Sequence, residues 1–144
     1  MNGKDIGAFV KAAGVLAPQS VDASADANGT GVDRLANGLP LSCVAVVQTG
    51  TASGSPSAQS HVFKVQHADD DGSGSAGTYA DLTDATVTVT ADATLSSFDV
   101  DLSGAKQWIR LMYDESSAFT GGSSPATYVS GCLLLGGFDT LPQS

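Results

Sequence analysis

Residues 84–102 read DATVTVTADATLSSFDVDL, and apolar side chains recur there at every second position in two successive runs. Val87 and Val89 would point to one side of an extended chain, and Phe98 and Val100 repeat the arrangement between aspartates. Period two is the pattern of a β-strand that buries one face. This stretch therefore predicts two strands that line a common core.

The same pattern extends in both directions from this stretch. Residues 61–67 (HVFKVQH), 79–82 and 106–113 (KQWIRLMY) are extended runs with alternation, and residues 41–49 and 126–135 are apolar runs of strand length. Segments rich in Gly, Ser, Asp and Pro separate these runs, and no long helix lies between them. The sequence therefore predicts an all-β fold, an antiparallel β-sandwich of the jelly-roll type. The residues of its predicted core are Phe63, Val87, Val89, Phe98, Val100, Ile109 and Leu111.

The first 40 residues lack this alternation. Apolar residues from Ile6 to Ala13 have the spacing of one helix face, although two glycines weaken a helix in this segment. Residues 18–40 are rich in Ala, Ser, Asp, Asn and Gly, which indicates a loop with one short strand around Val32. We therefore expect an extended or short-helical N-terminal arm and loop segment over residues 1–40, and a sandwich domain over residues 41–144.

Charge and hydropathy argue against two kinds of partner. The 144 residues include 15 Asp and Glu against 6 Lys and Arg, and a net charge of −9 repels the phosphates of a nucleic acid. No apolar run approaches the roughly 20 residues that span a bilayer, and the N-terminus lacks the pattern of a signal peptide. We therefore expect no nucleic-acid partner, no membrane segment and no secretion signal.

No group of residues has the spacing of a catalytic or cofactor site. Gly72, Gly74 and Gly77 fit the glycine pattern of a dinucleotide-binding loop, but a strand rather than a helix follows them. His61 and His67 would lie about 20 Å apart on one strand, too far to bind one metal ion together. We therefore expect no enzyme activity, no catalytic residue, no cofactor and no metal site.

For three groups of acidic or sulfur-containing residues, the sequence is compatible with two different roles. Residues 69–71 are three aspartates that fit either a weak cation site or a solvated acidic turn. Asp99 and Asp101 share the outward face of one strand, where solvated carboxylates are more common than a glycosidase pair. Cys43 and Cys132 lie in apolar runs and are expected to be free thiols, or a disulfide if their strands are neighbours.

Trp108 lies in the polar register of its strand. A loop or the N-terminal arm covers this side chain in one interpretation, whereas in the other it contacts a partner. Together with Tyr79, Tyr113 and Tyr128 it would form an aromatic platform, which defines a carbohydrate-binding module as an alternative function.

Four stretches beyond about Asn28 carry a family resemblance. They are residues 29–34 (GTGVDR) before the apolar strand at 42–50, residues 61–74 (HVFKVQHADDDGSG), residues 98–113 (FDVDLSGAKQWIRLMY) and residues 132–142 (CLLLGGFDTLP). Together they resemble small virion structural proteins of tailed bacteriophages and prophages. The resemblance implies a capsid decoration, or cement, protein that binds the major capsid protein on the outer surface of the virion, commonly as a homotrimer. Its synthesis would take place in the cytoplasm of the host bacterium.

Within this interpretation the N-terminal arm binds the shell or a neighbouring subunit. The predicted contact residues are Ile6, Phe9, Val10, Leu16, Asp33, Arg34 and Trp108. The first four would bury apolar area, whereas Asp33 and Arg34 would fix the start of the sandwich, so deletion through Leu16 should abolish binding and leave the fold intact. A tail or head-to-tail connector protein is the other alternative, and it would differ in the number of copies per particle.

Overall fold

The computed structural model describes residues 6–138, which form an all-β chain with two antiparallel sheets. A 3₁₀ turn at Ile6–Ala8 precedes the first strand. The ten strands are β1 (Lys11–Val21), β2 (Ala27–Asn28), β3 (Val32–Asp33), β4 (Pro40–Thr49), β5 (Ala58–Ala68), β6 (Ala80–Val89), β7 (Leu95–Asp101), β8 (Trp108–Tyr113), β9 (Ala118–Thr120) and β10 (Thr127–Phe138). Within the described range, no helix has the length and apolar character needed to cross a membrane.

The strands pair in a nested order. The four-stranded sheet has the order β1-β10-β4-β7, and the six-stranded sheet has the order β2-β8-β5-β6, with β3 also on β8 and β9 also on β5. The pairs β1 with β10, β2 and β3 with β8, β4 with β7, and β5 with β6 enclose one another along the sequence. The chain therefore folds like one long hairpin whose tip lies between β5 and β6.

The core lies between the two sheets and contains the predicted inward-facing residues. Phe63, Ile109 and Leu111 are fully buried, and Val87 and Phe98 are half-buried and pack against them. Alternate residues of each strand face this layer because the period-two pattern places its apolar members on one side. The prediction of an antiparallel β-sandwich is confirmed, and so is the hairpin between residues 61–67 and 79–82, which now form parts of β5 and β6.

The N-terminal segment differs from the prediction. Over residues 6–40, the described part of this segment, no helix forms beyond the 3₁₀ turn, and β1 is an edge strand of the four-stranded sheet that pairs with β10. Two register shifts interrupt this pairing, so the inward-facing residues Ala13, Leu16 and Gln19 recur every three positions rather than every two. An extra residue at each bulge produces this spacing, which on sequence alone resembles a helix face. The extended alternative matches the backbone, but the strand is part of the sandwich rather than a separate arm.

The segment after β1 connects the two sheets. The N–H of Gly29 donates to the carbonyl of Leu111 at 2.8 Å, and the N–H of Thr30 donates to the carbonyl of Val15 at 2.9 Å. A Cβ atom at Gly29 would lie 2.5 Å from that Leu111 oxygen, so only glycine allows this approach. The expected short strand around Val32 is confirmed as β3, and β2 is an additional strand. Residues before position 40 therefore contribute strands to both sheets, and a domain boundary at this position stays a prediction.

Candidate interaction surface

Three of the predicted contact residues lie at the N-terminal end of the described chain. Ile6 is 63% exposed, whereas Phe9 and Val10 are half-buried. The N–H of Phe9 donates to the carbonyl of Ile6 at 3.0 Å and closes the turn before β1. Ile6 and Val10 line a groove on the outer side of the four-stranded sheet, together with Val44 and Leu134. This groove brings predicted contact residues to an accessible apolar surface.

Leu16 does not belong to this surface. Its side chain is fully buried between the two sheets, where it is one of the largest buried side chains of the core. The expectation that a deletion through Leu16 leaves the fold intact is therefore wrong, because the deletion would remove half of β1 and a core residue. The capsid-contact role assigned to Leu16 needs exposed area that this residue lacks.

Arg34 connects the loop before β4 to the loop before β8. It is 5% exposed, and its Nη2 donates to the carbonyls of Pro40 at 2.9 Å and Leu102 at 2.7 Å. Its Nη1 donates to the carbonyl of Lys106 at 3.1 Å and also to that of Ala105. Burial lowers the pKa of this guanidinium from its ordinary value. Within residues 6–138 Arg34 forms no salt bridge, so backbone dipoles alone compensate its charge.

Asp33 also holds the loop before β4 in place, through hydrogen bonds within that loop and one to Gln107 of the loop before β8. Its Oδ1 accepts hydrogen bonds from the N–H of Leu35 at 2.9 Å and from Nε2 of Gln107 at 3.2 Å. Its carbonyl accepts a third hydrogen bond from Nδ2 of Asn37 at 2.7 Å. These bonds occupy Asp33 within the chain, and contact of Asp33 or Arg34 with a capsid stays a prediction.

Trp108 lies under the acidic loop at the hairpin tip. Its side chain is half-buried, and Nε1 donates to Oδ2 of Asp70 at 3.2 Å. Next to it, Nζ of Lys106 forms a salt bridge of 2.7 Å with Asp69. The loop alternative for Trp108 thus matches the structure. Among the described residues, no three His, Cys, Asp or Glu side chains are arranged to hold a metal ion.

The four aromatic residues of the carbohydrate-binding alternative do not share one exposed face. Tyr113 is fully buried with its ring 5.5 Å from that of Phe63, and Tyr128 is 66% exposed on the four-stranded sheet. Tyr79 lies under the guanidinium of Arg110, whose carbon is 4.0 Å from the ring centroid. A flat aromatic platform that could stack on a sugar is therefore not formed by this set.

His61 is fully buried in a chain of polar side chains. Its Nδ1 lies 3.1 Å from the hydroxyl of Tyr113, and its Nε2 lies 2.9 Å from Oε1 of Gln59. Nε2 of Gln59 donates to Asp92 at 2.7 Å, so Oε1 of Gln59 faces His61 and assigns the imidazole proton to Nε2. Burial lowers the pKa of His61 despite the nearby Asp92 carboxylate. A buried imidazole with both nitrogens occupied is not accessible to a substrate.

The two cysteines lie on opposite faces of neighbouring strands. Cys43 of β4 points into the core, where burial raises the pKa of its thiol to about 12. Cys132 of β10 pairs with Val46 and points outward. Both thiols are free, because neighbouring strands bring the side chains close only when they share a face.

Outward-facing residues of β4 and β10 form an apolar block in the middle of the four-stranded sheet. We use "apolar block" for Val44, Val46, Cys132 and Leu134, in which Leu134 pairs with Val44 and Cys132 pairs with Val46. All four are half-buried. The groove lined by Ile6 and Val10 lies at one end of this block and has a volume of about 540 Å³. The outer side of this sheet therefore carries an apolar surface.

No protein-family model matches this chain, and no curated protein matches it either.

Proposed function

We propose that this chain is a non-enzymatic structural protein of a tailed-phage virion, which decorates and cements the capsid by binding the major capsid protein. The resemblance of four sequence stretches to phage virion proteins motivates the proposal. The structural observation that supports it is the apolar groove beside Ile6 on an otherwise acidic chain. Apolar area of this kind is costly in water and favours contact with another protein.

We also propose that the sandwich is a jelly-roll. A jelly-roll is a long antiparallel hairpin rolled into two four-stranded sheets with Greek-key connections. The nested pairs β1–β10, β2 and β3–β8, β4–β7 and β5–β6 support this assignment, as do the sheet orders β1-β10-β4-β7 and β2-β8-β5-β6. Short strands β3 and β9 are then additions at the margins of the six-stranded sheet.

The contact residues act in two ways in this proposal. Ile6, Phe9 and Val10 bind an apolar surface of the shell, because they lie outside the core at the start of the sandwich. Leu16 and Arg34 act from within, since they hold β1 and the loop before β4 in place. Cementing then means that a stable sandwich covers and restrains neighbouring capsid subunits from the outer surface of the virion.

The copy number of the chain in purified particles tests this proposal. We expect roughly one copy per major capsid protein by quantitative protein staining of particles from the phage or prophage that encodes it. A content of a few per cent would instead favour the tail or connector alternative. Absence from particles would contradict both phage roles.

The variant Ile6→Asp tests the contact surface in the same particles. We expect its occupancy to fall by at least about tenfold, because a buried unpaired carboxylate disfavours binding. Thr88→Asp adds the same charge to an exposed position on β6 and should retain full occupancy. Equal thermal unfolding midpoints of the two variants would assign any difference to binding. Full occupancy of Ile6→Asp would contradict a role for this groove.

A further inference from the structure

Strand β7 forms one edge of the four-stranded sheet. Among the described residues it pairs only with β4, and its other long side faces no strand. The pairing with β4 runs from Leu95 to Asp101 without a register shift, so the whole strand is straight and regular. A free edge of this kind presents unpaired N–H and C=O groups to a further strand. The edge of β7 is therefore a candidate binding site for an extended chain.

The other edges of the two sheets are interrupted or short. Pairing of β1 contains two register shifts, and Pro18 within that strand has no N–H to donate. In β6 a register shift accompanies Asp84, which has a left-handed backbone with a φ of 59°. Strands β2 and β3 have two residues each. Proline, glycine and lysine are all absent from β7, so it has the most regular free edge of the described strands.

The groups that this edge presents follow from the hydrogen bonds to β4. The N–H of Leu102 donates to the carbonyl of Leu41 at 2.9 Å. At the other end of the strand pair, the N–H of Thr49 donates to the carbonyl of Thr94, also at 2.9 Å. Because hydrogen-bonded pairs alternate along an antiparallel ladder, the even-numbered residues of β7 bond to β4. The backbone groups that point away from β4 belong to the odd-numbered, exposed residues Leu95, Ser97, Asp99 and Asp101.

We propose that β7 pairs with β7 of a second copy of the chain, antiparallel, about a two-fold axis at Phe98. In this register Ser97 of each copy lies opposite Asp99 of the other. Leu95 of each copy likewise lies opposite Asp101. All the odd-numbered residues then bond across the axis, and about eight backbone hydrogen bonds form. Main-chain bonds of this kind hold an added strand on a sheet edge. This inference does not rest on the proposed function.

The sequence of β7 is complementary to itself in this one register. An axis at Asp99 would place that carboxylate opposite its own copy, and an axis at Val100 would oppose Asp99 with Asp101. Like charges directly opposite each other destabilise a strand pair. An axis at Ser97 would leave Asp101 beyond the end of the partner strand. With the axis at Phe98 every residue of β7 is paired, and the Ser97 hydroxyl can donate to the carboxylate opposite it.

Phe98 provides the apolar part of the contact. Its side chain faces the core but is only half-buried, since β7 is the last strand of its sheet. On the axis the two Phe98 residues form a pair without backbone hydrogen bonds, which is where side chains of neighbouring strands lie closest. The groove beside Ile6 lies on the outer side of the sheet. Pairing within the plane of the sheet leaves this groove open.

The oligomeric mass of the full chain tests the inference. Because one strand from each copy takes part, we expect a weak dimer that forms between about 10 µM and about 1 mM in sedimentation equilibrium. The mass should rise with concentration from 14.4 kDa towards about twice that value. A chain that stays monomeric over this range would overturn the proposal, and so would a trimer.

Ser97→Pro tests the edge of β7 in the same measurement. The substitution removes an N–H that points away from β4 and should weaken dimerisation at least about tenfold. Thr88→Pro is the matched control on the free edge of β6. Thr88 pairs with Val62, whose carbonyl accepts from the N–H of Asp114, so the N–H of Thr88 points away from β5. Equal effects of the two substitutions on dimerisation would contradict a role for the β7 edge.

Disulfide cross-linking tests the register with exposed positions. Ser97→Cys and Asp99→Cys, each combined with Cys132→Ser, are mixed and treated with oxidised glutathione. We expect a disulfide between the two different variants, because positions 97 and 99 lie directly opposite each other. Either variant alone should cross-link poorly, since its identical residues are diagonal neighbours about 7–8 Å apart. No cross-link in the mixture, or equal cross-linking of one variant alone, would overturn this arrangement.

Discussion

Arg34 is a buried cation that only backbone carbonyls compensate. Its guanidinium donates to carbonyls of two loops, at Pro40 before β4 and at Leu102 and Lys106 before β8. The planar group with several fixed N–H donors suits this task, because a lysine would offer one compact centre instead. One side chain thereby joins segments that lie about seventy positions apart in the sequence.

We predict that Arg34→Met lowers the free energy of unfolding by about 3 kcal/mol. The methionine preserves part of the apolar stem but leaves buried carbonyls without donors, which is the costly outcome for a polar group. Urea denaturation measures the loss. Arg110→Met is the control, because Arg110 contacts Gln66 and Tyr79 at a partly exposed site and should cost about 1 kcal/mol. Equal losses for the two variants would show that the buried carbonyls find other donors.

At the scale of secondary-structure elements, β1 is an integral part of the sandwich, as the edge strand of the four-stranded sheet. Its bulged pairing with β10 directs Leu16 into the core, although neighbouring residues of the same strand are exposed. The bulges allow an edge strand with a glycine and a proline in its interior to follow the twist of the sheet.

We predict that Leu16→Ala lowers the free energy of unfolding by about 3 kcal/mol, because the truncation leaves a cavity between the sheets. Ile6→Ala removes a comparable apolar side chain from an exposed position and should change stability by less than about 0.5 kcal/mol. Thermal or urea unfolding of both variants makes the comparison. A small effect of Leu16→Ala would mean that β1 can leave the sheet, as an independent arm would.

The elements that the sequence predicted share one physical property. In β5, β7 and β8 apolar side chains recur at inward-facing positions, so local alternation identifies these strands. The predicted run at 79–82 and the first predicted strand of residues 84–102 instead lie largely within the single strand β6, whose pairing with β5 contains a register shift. The pattern of β1 did not indicate a strand, because its bulges change the spacing of its inward-facing residues from two to three. The role of Arg34 in joining two loops could not be predicted for a different reason. Its hydrogen-bond acceptors are backbone carbonyls, and no residue type in the sequence marks such an acceptor.

The candidate surface was predictable only in part. Ile6 and Val10 were identified as apolar residues outside the core, and the structure places both beside one groove. The apolar block was not identified, because Val44 and Leu134 occur within continuous apolar runs in which inward and outward positions look alike. Their orientation becomes clear only when β4 and β10 are seen to be neighbours with one open side.

At the scale of the whole molecule, acid should destabilise the fold in two separate ranges of pH. Hydrogen bonds from Gln66 and Lys64 lower the pKa of Asp81, and a hydrogen bond from Gln59 lowers that of Asp92. These carboxylates stabilise the fold above their ordinary pKa and lose that contribution as the pH falls below about 4. His61 acts at higher pH, because burial lowers its pKa and the unfolded chain takes up a proton that the folded chain does not.

We predict that the free energy of unfolding falls as the pH decreases below about 6.5, with a slope of at most about 1.4 kcal/mol per pH unit from His61. His61→Gln should flatten this slope, whatever its effect on stability at pH 7.5. Thermal unfolding midpoints between pH 7.5 and 5 give the comparison, and an equal slope in the wild-type chain and in His61→Gln would contradict the prediction.

The nested strand order has a consequence for synthesis on the ribosome. Both β1 and β4 pair with β10, which follows all the other described strands in the chain. At about 5–20 residues per second, β1 waits roughly 6–25 seconds after its own translation before a partner exists. During that interval the inward-facing apolar residues of β1 lack their cross-strand neighbours, so the four-stranded sheet is completed only after β10 has been translated. Chaperone dependence of the yield should therefore track the emergence of β10 from the ribosome rather than the translation of the hairpin tip.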